Sequence, residues 1–284
     1  MSGADRRITA SAEIEGSRVT VRIALLGPLE VVHDGRPSVP SAPKQRTLLA
    51  LLLLNANHEV SVAQCARELG DGASKNCSVS TVHTHILQLR KALGPAAGRL
   101  RTTGAGPDAG YLFSTEPGEL DLDRFDELVA VARIRRADGK LGDAAEAITE
   151  ALDLWRTEAL VDVKTGPGAQ RTLVGLRSKR MEAVVLCADL ALRLGRHRQV
   201  LGKLTALVHR HPAEERLTAC LMTALYRSGR QADALAVYHR FLAVAETGSR
   251  ALSELQTAIL LADPVLEGPA VAPAGLAADL ITAG

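Results

Sequence analysis

The 284-residue chain carries 34 Lys and Arg, 32 Asp and Glu, and 46% hydrophobic residues, for a formal net charge of +2. That much apolar material builds a core and suits one large or two ordinary domains, which excludes an intrinsically disordered chain. The longest apolar run, LLALLLL at residues 48–54, is too short to span a bilayer, and residues 1–17 lack the apolar centre of a secretory signal, so the chain reads as cytoplasmic with no membrane partner.

The first elements are short strands. VRIALL and LEVVH are apolar runs separated by Gly27-Pro28, and DGRP at residues 34–37 is a turn signal that folds the second run back against a third near Ser38 and Val39. Pro43 then opens a strongly helical segment, KQRTLLALLLLN. Ser61 is a good N-cap for a second helix, VAQCAREL, which Gly70-Asp71-Gly72 stops. The third helix lies within NCSVSTVHTHILQLRKALG, residues 76–94. At 100° per residue Val79, Val82, Ile86, Leu89 and Leu93 fall in one narrow sector, with Ser80, Thr81, Thr84, Gln88 and Lys91 opposite. RLRTT, a Gly/Pro-rich tip GAGPDAG and YLF then read as a β-hairpin. Sheet, three helices and a basic hairpin are the layout of a winged helix-turn-helix.

From Asp121 to about Asp263 almost everything is helical in pattern. Gly195-Arg196 and Gly229-Arg230 recur at the 34-residue tetratricopeptide period, each between two apolar helices. Trp155, Tyr226, Tyr238 and Phe241 fall at helical spacings and read as core. The predicted fold class is mainly α with a small β component: an N-terminal winged helix-turn-helix at residues 19–115, followed by an all-α tetratricopeptide-like helical repeat domain at 119–264. Residues 1–18 and 265–284 read as disordered tails.

Charge is unevenly placed. Residues 1–115 hold 13 basic and 9 acidic side chains, whereas residues 116–264 hold 21 of each. No Asp or Glu occurs in residues 72–107, a window that carries Lys75, Arg90, Lys91, Arg99 and Arg101 and covers the third helix and most of the hairpin. Acids there would repel a phosphate backbone, so the window points to a polyanion partner. The four cysteines, Cys65, Cys77, Cys187 and Cys220, form no C-x-x-C pair and read as reduced packing residues. No metal-spaced cluster, H-E-x-x-H, G-x-S-x-G or nucleophile–base conjunction is present, so the sequence nominates no catalytic residue, metal ligand or cofactor and does not read as an enzyme.

The motifs LLGPLEV, PKQRTLLALLLLNAN, THILQLRKALG, GYLF, ELDLDRFDELV, LDLWR and LMTALYRSGRQADALAVY resemble, in that order, the SARP family of antibiotic regulatory proteins of actinomycetes. The similarity covers residues 21–266. It implies an OmpR-type winged-helix DNA-binding domain joined to a bacterial transcriptional activator domain. Further implications are activation of a secondary-metabolite gene cluster, binding to direct repeats in promoter DNA and recruitment of RNA polymerase, largely through its sigma subunit. Two copies would then act as a homodimer or sit side by side on the repeats. The chain departs from the family pattern where Leu69 replaces the usual Trp before Gly-Asp, where Val79 and Gln88 stand at positions usually held by Arg, and at the longer hairpin tip.

On that frame Ser80, Thr81, Thr84, Gln88 and Lys91 form the groove face of the recognition helix, with Gln88 suited to adenine and Lys91 to a phosphate. Lys44, Arg46, Lys75, Asn76 and Arg90 are backbone-contact candidates, although an internal role for Arg90 competes. Arg99, Arg101, Thr102 and Thr103 are the wing candidates, and His83 and His85 flank the face, with packing and phosphate contact equally matched. The alternative function is a helical-repeat interaction scaffold with a weak or degenerate DNA-binding domain. The acid-free window favours the DNA-binding reading.

Overall fold

The computed structural model describes residues 21–70, 77–104, 109–245 and 248–268. The expected tail at 1–18 lies outside the described residues, as does 269–284.

Two three-stranded sheets and three helices form the first third. Strands β1 (Val21–Ala24), β2 (Glu30–His33) and β3 (Arg36–Pro37) make an antiparallel sheet in the order β1-β2-β3. Asp34 and Gly35 both have positive φ, 48° and 76°, the two-residue turn that matches strand twist. The turn is therefore tighter than DGRP led one to expect, and β3 starts before Ser38 because Arg36 and Pro37 already pair with His33 and Val32. Helices α1 (Pro43–Leu54), α2 (Val62–Leu69) and α3 (Val79–Leu93) follow. Ser61 caps α2 in a reciprocal capping box with Gln64. Strand β4 (Val60–Ser61) joins β5 (Leu100–Thr103) and β6 (Gly110–Phe113) in a sheet of order β4-β6-β5, whose β5–β6 hairpin is the wing.

The remainder is helical: α4 (Asp121–Ala137), α5 (Leu141–Asp153), α6 (Pro167–Arg193), α7 (His197–Arg210), α8 (Glu215–Arg227), α9 (Gln231–Leu242) and α10 (Arg250–Leu260). Mainly α with a small β component, winged helix then helical repeats, is the architecture found. Three helical hairpins close on the same turn. Gly139, Gly195 and Gly229 have φ of 75°, 72° and 76°, and the amide after each donates to a carbonyl five residues back, at Arg135, Ala191 and Leu225. This is the Schellman termination. Ala262 repeats it at the end of α10 with φ 52°, where Asp263 donates to Ala258. Pro264–Glu267 then form a 3-10 turn with Leu266 fully buried, so the chain stays packed past residue 265, the expected start of the C-terminal tail.

Two apolar cores are strung on α6. One runs without a break from the first sheet and α1–α3 through α4 and α5 to Leu173, Leu176, Leu186 and Leu190 of α6. The other gathers Val185, Ala188 and Leu192 of α6 with α7–α10. Trp155 lies just past α5 in the first core, edge-on to Phe125 at 5.6 Å between centroids, with the Arg180 guanidinium 4.5 Å above its ring. Tyr238 and Phe241 are buried in the second core, while Tyr226 is half-buried. No helix among the described residues is long and apolar enough to cross a membrane.

Candidate nucleic-acid interface

Helix α3 lies against α1 and α2 through one stripe. Val82, Ile86, Leu89 and Leu93 are 0–1% exposed, which anchors the helix. Val79, expected in that stripe, is instead 56% exposed, because it is the first helical residue and lies beyond the end of the packed surface. Ser78 caps the helix, its Oγ accepting from the Thr81 amide at 3.2 Å.

The opposite face projects into solvent. Ser80, Thr81, Thr84, Gln88 and Lys91 are all exposed, and so is Leu87, at 56%. Leu87 was missed by the periodicity reading, which sorted residues by polarity before angle. An apolar side chain between Thr84 and Lys91 can meet a thymine methyl in a major groove. Thr84 Oγ1 donates to the Ser80 carbonyl at 3.0 Å, which leaves its hydroxyl acceptor capacity and methyl outward. Gln88 Oε1 accepts from Gln45 Nε2 of α1 at 3.0 Å, so this side chain is held by a second helix. Lys91 makes no hydrogen bond or ion pair among the described residues.

The wing stands beside this face. Arg90 crosses to it, Nε donating to the Leu100 carbonyl at 3.1 Å and Nη2 to Thr102 Oγ1 at 2.9 Å. Arg90 is thus a brace between helix and wing and not a free backbone clamp. Arg101 is exposed on the outer strand and donates to Ser114 Oγ at 2.8 Å, with no acid paired to it among the described residues. Thr102 is exposed, while Thr103 is half-buried with a buried Oγ1 that has no partner among the described residues. His83 meets Tyr111 of β6 edge-on at 6.5 Å, and His85 buries an unpartnered Nδ1. Lys75 and Asn76 lie outside the described residues.

Three other expected DNA-contact residues are drawn inward. Lys44 donates to the Leu69 carbonyl at the end of α2 at 2.6 Å. Arg46 pairs with Asp162 and reaches the Pro40 carbonyl at 3.4 Å. Arg99 pairs with Glu119 at 2.8 Å and Glu116 at 3.3 Å. In each case a carbonyl or carboxylate of the folded chain supplies the negative partner that a phosphate was expected to be.

The Arg46–Asp162 pair belongs to a junction that the sequence reading did not foresee. Glu68, 3% exposed on the inner face of α2, accepts from the amides of Gly166, Gly168 and Ala169 at 2.7–3.3 Å. It caps α6, whose own N-cap is Gly166 and has no side chain to do so. A Cβ on Gly166 would strike the Glu68 backbone, so glycine is required by close approach. Asp121 caps the end of β1 in the same manner, accepting from Leu25 and Leu26 at 2.8–3.0 Å. Burial pushes its carboxyl pKa up, with the amide bonds and Arg156 opposing. Asp162 also accepts from the Leu29 amide, and Arg156 binds Glu30 and the Pro28 carbonyl. The sequence carries only half of this signal, a carboxylate in the same sector as Cys65 and Leu69; nothing local ties it to the uncapped helix start at Gly166, 98 residues on.

Comparison with known proteins decides what this arrangement belongs to. The family Bacterial transcriptional activator domain matches residues 120–260, α4 to α10. Regulatory protein DnrI of Streptomyces peucetius is 36% identical over 267 residues, which cover 88% of this chain and 97% of DnrI.

The chain belongs to the SARP family of transcriptional regulators. Its relatives are regulators and not enzymes. Regulatory protein AfsR of Streptomyces coelicolor is 38% identical over 92% of this chain, which spans only 26% of AfsR. A solved structure of Mycobacterium tuberculosis EmbR in complex with a low-affinity phosphopeptide superposes with a TM-score of 0.77 at 31% identity, covering 87% of this chain and 66% of EmbR. The SARP winged helix and helical domain are thus shared as a unit across chains of very different length.

Proposed function

We propose that this protein is a sequence-specific DNA-binding activator of a secondary-metabolite gene cluster, cytoplasmic, binding direct repeats in a promoter and recruiting RNA polymerase through its sigma subunit. One observation carries the DNA-binding part: the outer face of α3 and the adjoining wing expose Ser80, Thr81, Thr84, Leu87, Gln88, Lys91 and Arg101 without an acid in residues 72–107. Such a face enters a phosphate-lined groove without repulsion, with Lys91 and Arg101 placed for phosphates and Leu87 and Gln88 for base edges. Two copies bind adjacent repeats side by side. The helical domain, locked to the winged helix through Glu68, Asp121 and Asp162, is carried to a fixed position beside the promoter, where it meets the polymerase.

Fluorescence anisotropy of the full chain on its cluster's promoter, against random DNA and with salt varied, tests this. Preference for the promoter, weakening steeply with salt, is expected. A second reading has its own support. Lys44, Arg46, Arg90 and Arg99 face inward, so few cations remain for DNA, as a protein-interaction scaffold with a weak DNA-binding domain requires. Absence of promoter preference at low salt selects the scaffold.

A further inference from the structure

Helix α7 enters the second core by one stripe, centred on Leu204, and leaves a broad face outside. Residues 190–213, which hold the whole of α7, contain no Asp or Glu and carry Arg193, Arg196, Arg198, Lys203 and Arg210. Asp189, just before this run, answers Arg193. Arg196, Arg198, Lys203 and Arg210 are exposed and make no hydrogen bond or ion pair among the described residues. Solvated faces elsewhere in the domain carry both signs. On α4 Arg124 bonds Glu150 and Arg133 bonds Glu182, and on α10 Arg250 bonds Glu254.

At about 100° per residue, Arg198 and His209 lie along one edge of this face and Lys203 and Arg210 along the other, with Gly202 and Ala206 between them. A Cβ on Gly202 would meet nothing, so the middle of the face is low enough for a second helix to lie close. Beside the first edge a notch of about 160 Å³ opens between α7, α8 and α9. Thr205, Val208 and His209 of α7 and Arg240 of α9 form its rim, over Leu221 and Phe241. Arg240 is likewise exposed and unpaired among the described residues. The notch is well below the roughly 300–1,000 Å³ of a metabolite pocket and suits a single apolar side chain.

We infer that the outer face of α7 and this notch dock an acidic amphipathic helix of a partner protein. Its carboxylates meet Arg198, Lys203, Arg210 and Arg240, and one apolar side chain enters the notch. These four cations are paired with no acid among the described residues of their own chain, whereas a helix with acids flanking an apolar stripe supplies one to each edge. The backbone of a duplex offers phosphates but nothing apolar for the notch, which favours a protein helix. Such docking presupposes that the helical domain holds a protein partner, which the activator and the scaffold share, and it is independent of DNA binding.

Fluorescence anisotropy of the full chain with a labelled, stapled helix as long as α7, 14 residues, built of Glu and Ala around a central Leu, tests this surface. The expected result is saturable binding, weakened about tenfold or more when Arg198→Glu, Lys203→Glu and Arg210→Glu are combined. The unfolding midpoint of that triple variant stays near wild type, because all three side chains are exposed. Replacing the central Leu of the probe by Ala, which leaves the protein untouched, should weaken binding about fivefold. A probe with Lys in place of Glu should not bind, and the triple variant should bind promoter DNA as wild type does. No saturable binding of the acidic probe, equal affinity for the triple variant, or indifference to the central Leu overturns the inference. So does loss of promoter DNA by the triple variant, which would assign the face to a phosphate backbone. Lack of promoter preference in the wild type removes the DNA-binding reading alone.

Discussion

The outer face of α3 and the junction between the two halves put charged residues to opposite ends. On α3 and the wing, Lys91 and Arg101 stand in solvent with no acid paired to them among the described residues. At the junction, acids are buried and aimed at amides, and the arginines there are paired. A carboxylate that would ruin a phosphate-binding surface is the group best suited to cap an uncapped helix or strand end. The lesson is that basic residues in a winged helix cannot be counted as DNA contacts until the interior has taken its share.

The largest effect that can break this comparison is at Glu68. Glu68→Ala leaves three amides of α6 without their acceptor in a buried site and is expected to cost about 2–4 kcal/mol. Urea unfolding reads this as a lower midpoint, and a loss below about 0.5 kcal/mol would show that the junction is not held this way. Next is the groove face, where Gln88→Ala should cost roughly 1–3 kcal/mol on the preferred promoter site and relax preference at one base pair. Leu87→Ala sharpens the same point. Its affinity loss should vanish when uracil replaces the contacted thymine, because only the methyl is removed.

Smaller effects separate backbone geometry from charge. Ala262→Gly relieves a left-handed alanine at the Schellman turn after α10 and should raise stability by up to about 0.5–1 kcal/mol, read from the unfolding midpoint. Asp121 gives a pH signature. Its folded pKa lies above the ordinary 3.8, so the native state binds the proton more tightly than the unfolded one. The contribution of this titration to stability is then greatest at low pH. It falls as pH rises from below 3.8 through the folded pKa and is flat above it. Wild type measured against Asp121→Asn should show that downward slope, and an upward slope would reverse the assignment.

Much of the fold was legible because local rules set it. Ser61, Pro43 and the 3.6-residue stripe of Val82, Ile86, Leu89 and Leu93 mark helices by themselves. Gly195 and Gly229 announced two hairpins through their 34-residue spacing. Gly139 and Ala262 were silent, the first because the 27-residue α6 breaks the period and the second because it is not glycine. The outward face of α3 was readable apart from Val79 and Leu87, whose exposure depends on where the packed surface ends. The fates of Arg46 and Arg99 were not readable, since a cation gives no sign of whether its partner is a phosphate or a carboxylate elsewhere in the chain. Glu68 lies 98 residues from Gly166, and no local pattern joins them.

The salt dependence of promoter binding for Lys91→Ala, Arg101→Ala and Arg46→Ala tests the central division most directly. The expected result is that Lys91→Ala and Arg101→Ala each flatten the slope of log affinity against log salt by about one, while Arg46→Ala leaves the slope unchanged and lowers the unfolding midpoint. An unchanged slope for Lys91→Ala and Arg101→Ala, with a flattened one for Arg46→Ala, would contradict the account.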